Sequence, residues 1–130
     1  MKKIEDRIIN TFILDDEDYR IPELAKAITR LYPCTDIFIA STVSEAKYLL
    51  PRMDWNYLFL DHDLGGKDFV DSNEEETGYQ VAKFILEKGI KYEVCIIHSM
   101  NYAGAENMFR VLPKSRHIPF HMIVAGNKNV

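Results

Sequence analysis

The stretch YLFLDHDLGG at positions 57–66 decides how this chain is to be folded. Tyr57, Leu58, Phe59 and Leu60 run on without alternation, as a parallel strand covered on both faces does. The run ends in Asp61, His62 and Asp63, then Leu64 and two glycines. A buried strand ending in two carboxylates and an imidazole either enters a solvated loop or delivers a site. The segments on either side discriminate between the two.

Those segments alternate. NTFILDD is a short apolar run that closes on Asp15 and Asp16. IPELAKAITRLY places Pro22 at a helix start and Leu24, Ile28 and Leu31 on one face. DIFIAS reads as a second strand. TVSEAKYLL opens with Thr42 and Glu45 at capping-box spacing, which predicts a helix. After the third strand, TGYQVAKFILEKG is a helix stopped by Gly89. EVCIIHS is a fourth strand ending in His98 and Ser99. Asn101 caps the helix YAGAENMFRVL, which Pro113 ends, and IPFHMIV reads as the last strand. Strands alternating with helices of this length predict βαβ units, a parallel sheet and right-handed crossovers.

The bulk numbers agree with one globular domain over residues 1–130. The 47% apolar and 12% aromatic content suffices for a core without staples. Cys34 and Cys95 match no metal spacing, so a reducing, cytoplasmic location is expected. Glu5, Asp6 and Arg7 interrupt any signal-like apolar start, and no run approaches the roughly 20 apolar residues that cross a bilayer. The formal net charge of -4 gives no track for long nucleic acid, though a metal ion can recruit a small phosphate ligand.

In open α/β sheets ligands bind beyond the carboxyl ends of the strands. Asp15 and Asp16 end the first strand, Asp61 and Asp63 the third, and His98, Ser99 and Asn101 the fourth, so three separated segments converge on one edge. Two carboxylates about 4 Å apart repel by about 4 kcal/mol at an effective dielectric of about 20. Such a cluster takes up protons or binds a cation. Oxygen donors favour Mg2+, or Mn2+ in its place, held by Asp15, Asp16 and Asp61. Beside it, His98 is the candidate general acid or base, with Asp61 the other catalytic candidate. Each has a plainer role: Asp15 and Asp16 suit a strand-end turn or a cap of the next helix, Asp63 before Leu-Gly-Gly an Asx turn, and His62, on the opposite face from Asp61, suits packing or solvent. A zinc site of His62, Asp63 and His98 is a weaker alternative, lacking a tight His or Cys motif.

With these residues in place, the chain resembles the receiver domain of two-component response regulators. Asp15-Asp16 match its acidic pair, and Asp61, Leu64 and Gly65 stand in the Asp-x-x-Leu/Met-Pro motif of its phospho-acceptor. Gly78 matches the glycine opening the third helix, and Ser99 the hydroxyl residue ending strand four. The resemblance implies a flavodoxin-like, doubly wound five-stranded sheet of order 2-1-3-4-5. Two departures stand beside it: the end of the fifth strand in IPFHMIVAGN has neither the family's lysine nor the proline after it, and no fifth helix follows. The uncovered flank suggests pairing with another copy.

The segment 67–76, KDFVDSNEEE, is longer than the usual loop and sets Lys67 against five acids, making it a candidate lid. DHDLGG, TGYQVA and HSMNYAGAENM together are similar to a narrower group, the cyclic-phosphate processing receiver domains of bacterial and phage proteins. That resemblance implies metal-dependent processing of cyclic phosphates on a small cyclic nucleotide or an RNA end. His98 would act as acid or base, and Ser99, Asn101 and Asp63 would bind substrate. The alternatives are a signalling receiver phosphorylated on Asp61, and a receiver fold kept as a ligand- or protein-binding module without catalysis.

Overall fold

The structure, a computed structural model, describes residues 8–126 and residue 130. The charged start at 1–7 and polar residues 127–129 lie outside the described residues. Five strands, β1 (Ile9–Leu14), β2 (Thr35–Ala40), β3 (Trp55–Leu60), β4 (Tyr92–Ile97) and β5 (Arg116–His117), form one sheet of order β2-β1-β3-β4-β5. All its pairings are parallel. The helices are α1 (Arg20–Leu31), α2 (Val43–Leu49), α3 (Gly78–Lys88), α4 (Tyr102–Val111) and α5 (Phe120–Val124), with a 3-10 turn at Leu50–Arg52. No helix among the described residues is long and apolar enough to cross a membrane.

Strand side chains alternate between two cores. Phe12, Leu14, Leu58, Leu60, Cys95 and Ile97 pack against α2, α3 and α4. Ile13, Phe59 and Ile96 face the other way, onto Leu24, Ala27 and Ile28 of α1 and Ile123 of α5. Full burial of each such large apolar side chain contributes about 1.5–3 kcal/mol relative to exposure. The unbroken apolar run of β3 is thus the mark of a strand with helices on both sides.

Local signals account for the helix ends. Thr42 Oγ1 accepts from the Glu45 amide at 3.0 Å, and Glu45 Oε1 accepts in turn from the Ser41 amide. Gly89 closes α3 at φ 62°, a left-handed conformation that suits glycine. Asn101 Oδ1 accepts from the Gly104 amide at 2.9 Å and so caps α4. Pro22 lies in the first turn of α1, where its missing amide costs no helical bond.

The end of the chain differs from the sequence expectation. IPFHMIV is not a strand: β5 is the two-residue Arg116–His117, and Phe120–Val124 is the fifth helix that was expected to be missing. A short apolar run carries no periodicity that separates strand from helix. Pro119 decides it, since its carbonyl accepts from the Met122 and Ile123 amides and opens the helical turn. α5 packs on α1 and buries Ile123, on the flank expected to be bare. Moving the strand end to His117 also puts Ile118-Pro119 at the place of the lysine-proline pair, so the proline is present and the lysine is replaced by a buried isoleucine.

Candidate functional site

Sheet register builds the site. Leu14 pairs with Leu60, and Leu60 with Ile97, so the next residues, Asp15, Asp61 and His98, stand side by side past the strand ends. The ladder continues through them: Asp61 N donates to Leu14 O at 3.0 Å and His98 N to Leu60 O at 2.9 Å. Their side chains follow Leu14, Leu60 and Ile97 in alternation and so turn toward the α1 and α5 face.

Each of the three offers a ligand atom within 4.8 Å of the others, and all are buried. His98 Nε2 lies 2.9 Å from Asp15 Oδ2. Its Nδ1 is a buried polar atom with no hydrogen-bond partner among the described residues. The cation over the cluster is Arg20, whose Nη2 donates to Asp15 Oδ1 at 3.0 Å and Asp61 Oδ2 at 2.9 Å. Its Nε adds a bond to Asp15 Oδ2 at 3.1 Å. Asp15 brings Arg20 there by its own turn: Oδ1 accepts from the Glu17 amide, and the Glu17 carbonyl accepts from Arg20 N as α1 begins.

The two carboxylates differ. Burial opposes ionisation of Asp15, but bonds from His98 and Arg20 outweigh it and lower its pKa. Burial pushes Asp61 up to about 6, reinforced by the charge of Asp15 and only partly offset by His98 and Arg20. Two carboxylates facing one guanidinium leave an excess of negative charge in a site of low dielectric, which favours a cation.

The remaining expected residues divide by position. Asp16 is outside the cluster: its Oδ2 accepts from the Gly66 amide at 2.7 Å and ties the two loops together. Asp63 accepts from the Phe69 and Val70 amides and from Asn101 Nδ2, besides its contact with His62 Nδ1 at 2.8 Å. Burial works against its ionisation, and these bonds hold its pKa below the usual carboxylate value. Ser99 Oγ accepts from the Asn101 amide, so Ser99 and Asn101 brace each other. Asp61, Asp63, Ser99 and Asn101 nonetheless line one cleft of about 230 Å3, together with Arg20.

His62 turns away from Asp61, and of the two roles that orientation allows, packing and solvent, it takes packing. It is fully buried against Gly104 of α4, where a Cβ would meet the ring at 2.5 Å. Its Nε2 lies 2.9 Å from Ser72 Oγ, which Asn107 Nδ2 also reaches at 2.9 Å. That separates His62 from His98 and removes the geometry of the zinc alternative. The segment 67–76 is held at several points: through Asp63, through Ser72, and through Glu76, whose carboxylate accepts from the Val43 amide. It forms a wall of the cleft through Asp68 and Phe69.

Sequence reasoning missed Arg20. The signal was present: it is the one cation in DDEDYR, following four acids, and lies in the first turn of the next helix. Tyr19, Phe69 and Met100 were also missed. They line the same cleft while staying largely exposed.

Residues 11–114 match the family model described as Cyclic-phosphate processing Receiver domain. No curated protein matches the sequence significantly. Among solved structures, the phosphorylated cyanobacterial phytochrome response regulator RcpA is similar at TM-score 0.70 and 13% identity, covering 92% of this chain and 91% of that one. The response regulator domain of Thermotoga maritima CheB gives 0.67 and 16%, with 92% and 90% covered. A Burkholderia pseudomallei response regulator with a phosphorylated aspartic acid, calcium ion and citrate gives 0.65 and 14%, over 91% of this chain and 65% of that one. At these identities the likeness establishes the receiver fold.

Proposed function

The chain belongs to the cyclic-phosphate processing receiver domain family, and from that membership we propose that it opens cyclic phosphate groups on nucleotides or RNA ends, using Mg2+ or Mn2+ bound at the acidic cluster. One observation carries this: Asp15, Asp61 and His98 present ligand atoms within 4.8 Å of one another, buried at the ends of three adjacent strands. Two carboxylates suit a hard divalent ion held through oxygen, Mg2+ or Mn2+, and leave the imidazole beside it for proton transfer. Asp15 and Asp61 would hold it, with Arg20 shifting to share or release its two carboxylates. When bound, the ion supplies Lewis-acid polarisation of a phosphoryl oxygen.

The chain's own groups do the rest. Arg20 gives a fixed fork of donors suited to phosphate oxygens. Asp15 orients His98 through Nε2, and in the tautomer that donates Nε2–H the free Nδ1 carries the lone pair that accepts a proton. Ring opening adds water across one P–O bond. The water oxygen bonds to phosphorus as one P–O ester bond breaks, its proton passes to His98, and His98 would give that proton to the released ester oxygen, leaving a phosphate monoester. Ser99 and Asn101, on the cleft wall, would hydrogen-bond the phosphate as the charge develops, Asn101 giving up a bond to the 63–70 loop to do so.

The test is turnover of cyclic mononucleotides and cyclic-phosphate RNA ends with Mg2+ or Mn2+. Ion-dependent ring opening should vanish in His98→Ala with ion binding retained, and Asp61→Asn should lose both. An ion-binding wild type without turnover across the panel would reduce the site to a sensor.

Signalling through phosphorylation of Asp61 is the second reading, favoured by fold likeness to the regulator with a phosphorylated aspartic acid. Ile118 at the lysine position counts against it. Labelling of Asp61 by a small phosphodonor, without ring opening, would establish it.

A further inference from the structure

The cleft has two chemistries. Arg20, Asp61 and Asp63 supply charge, whereas Tyr19, Phe69 and Met100 line it with aromatic and thioether surface, respectively 64%, 76% and 41% exposed. Large apolar side chains left in water beside a charged cleft gain nothing from folding. Phe69 adds a cost: its φ of 55° places an aromatic residue in the left-handed region, where bulky residues are outliers. Among the described residues it is the one non-glycine position with positive φ. Asp63 imposes this, accepting both the Phe69 and Val70 amides, and the contacts of Ser72 with His62 and Asn107 hold the strand of loop behind it. Strain maintained by surrounding bonds clusters at ligand clamps. Tyr19 is fixed too, edge-on to Phe120 with ring centroids 6.3 Å apart.

We propose that Phe69 and Tyr19 form the stacking platform for the base of the nucleotide whose phosphate enters the acidic end, making the substrate a nucleotide and not a base-less cyclic phosphate. The proposal rests on the phosphate assignment above. The cleft, about 230 Å3, falls below the roughly 300–1,000 Å3 of sites that enclose whole drug-sized ligands. It therefore takes phosphate and sugar inside and leaves the base at the exposed rings. A flat ring offers a π-face whatever the base, so stacking gives affinity with little discrimination between bases. A single terminal nucleotide needs no basic track, which removes the conflict between a net charge of -4 and an RNA-end substrate.

The experiment is calorimetric titration, with Mg2+ present, of 2',3'-cyclic mononucleotides and of glycerol cyclic phosphate, which has no base; every protein carries His98→Ala so that ligand is bound without being opened, and wild type here means unchanged at positions 19 and 69. Wild type is compared with Phe69→Gly, Phe69→Trp and Tyr19→Ala. Glycine accepts φ 55° without strain, so Phe69→Gly stays folded and keeps its melting temperature. It should bind the mononucleotides on the order of tenfold more weakly and glycerol cyclic phosphate as wild type does, with Phe69→Trp restoring nucleotide affinity. Equal nucleotide affinity in Phe69→Gly and wild type would overturn the platform and leave the phosphate site standing. Failure of wild type to bind either ligand would overturn the phosphate site and the platform with it.

Discussion

The guanidinium of Arg20 reaches across 41 residues of chain to Asp61, with Nη2 2.9 Å from Oδ2, while the same nitrogen lies 3.0 Å from Asp15 Oδ1. Asp15 is fully buried and Asp61 nearly so, and His98 and Arg20 together compensate their charge. Truncating one partner of a buried ion pair leaves an uncompensated charge, at a cost of about 3–5 kcal/mol. Arg20→Ala should lose stability in that range when urea unfolding is followed in chelator. Millimolar Mg2+ should return part of it, since the ion proposed for this cluster would take over the neutralisation. Arg20→Lys should recover little, because one ammonium does not reproduce a fork bonded to two carboxylates.

Two glycines hold the site against its helices, and they should respond differently. A Cβ on Gly78 would stand 1.8 Å from the backbone oxygen of Asp61, so Gly78→Ala has to move strand β3 or helix α3. A loss of about 3 kcal/mol or more is expected, at the upper end for overpacking. On Gly104 the clash is with the His62 ring, a side chain. Gly104→Ala should cost about 1–3 kcal/mol, and much less in a His62→Ala background. Thermal unfolding of the four proteins in that cycle measures the coupling.

Asp63 should make stability depend on acid. Its folded pKa is depressed, so it contributes stability that is present above its ordinary value of 3.8 and lost as pH falls through the lower folded value. Asp63→Asn should therefore unfold at lower urea concentration than wild type at pH 7. The gap between the two midpoints should narrow as pH falls below about 4. A gap that stays constant across that range would show that the carboxylate's charge contributes nothing.

The thiols should separate cleanly. Cys34 is exposed, whereas Cys95 is 1% exposed in β4 and burial pushes its thiol up to about 12. Native protein at neutral pH should titrate one thiol quickly with a disulfide reagent, and unfolded protein two. Rapid reaction of both in the native state would contradict the packing of β4.

The βαβ alternation was legible because the signals are local: the unbroken apolar run of β3, the caps at Thr42 and Asn101, the stop at Gly89. The convergence of Asp15, Asp61 and His98 was legible as well, since a parallel sheet sends all strand ends to one edge. The final segment was not, because the five apolar residues that flank Pro119 and His121 in 118–124 satisfy either periodicity until their contacts with α1 are known. Asp16 looked equivalent to Asp15 in sequence. Strand alternation turned one toward α1 and the other toward the loop at Gly66.

The sequence alone thus determined which strands carry acid at their ends, since hydrophobic run length and caps are properties of neighbouring residues. Tertiary structure decided which acid meets which base. Register aligned Asp15, Asp61 and His98, and the turn at Asp15 brought Arg20 over them. The fold of the 67–76 loop set Phe69 on the cleft. Those choices depend on atoms brought together from distant parts of the chain, and no local propensity encodes them.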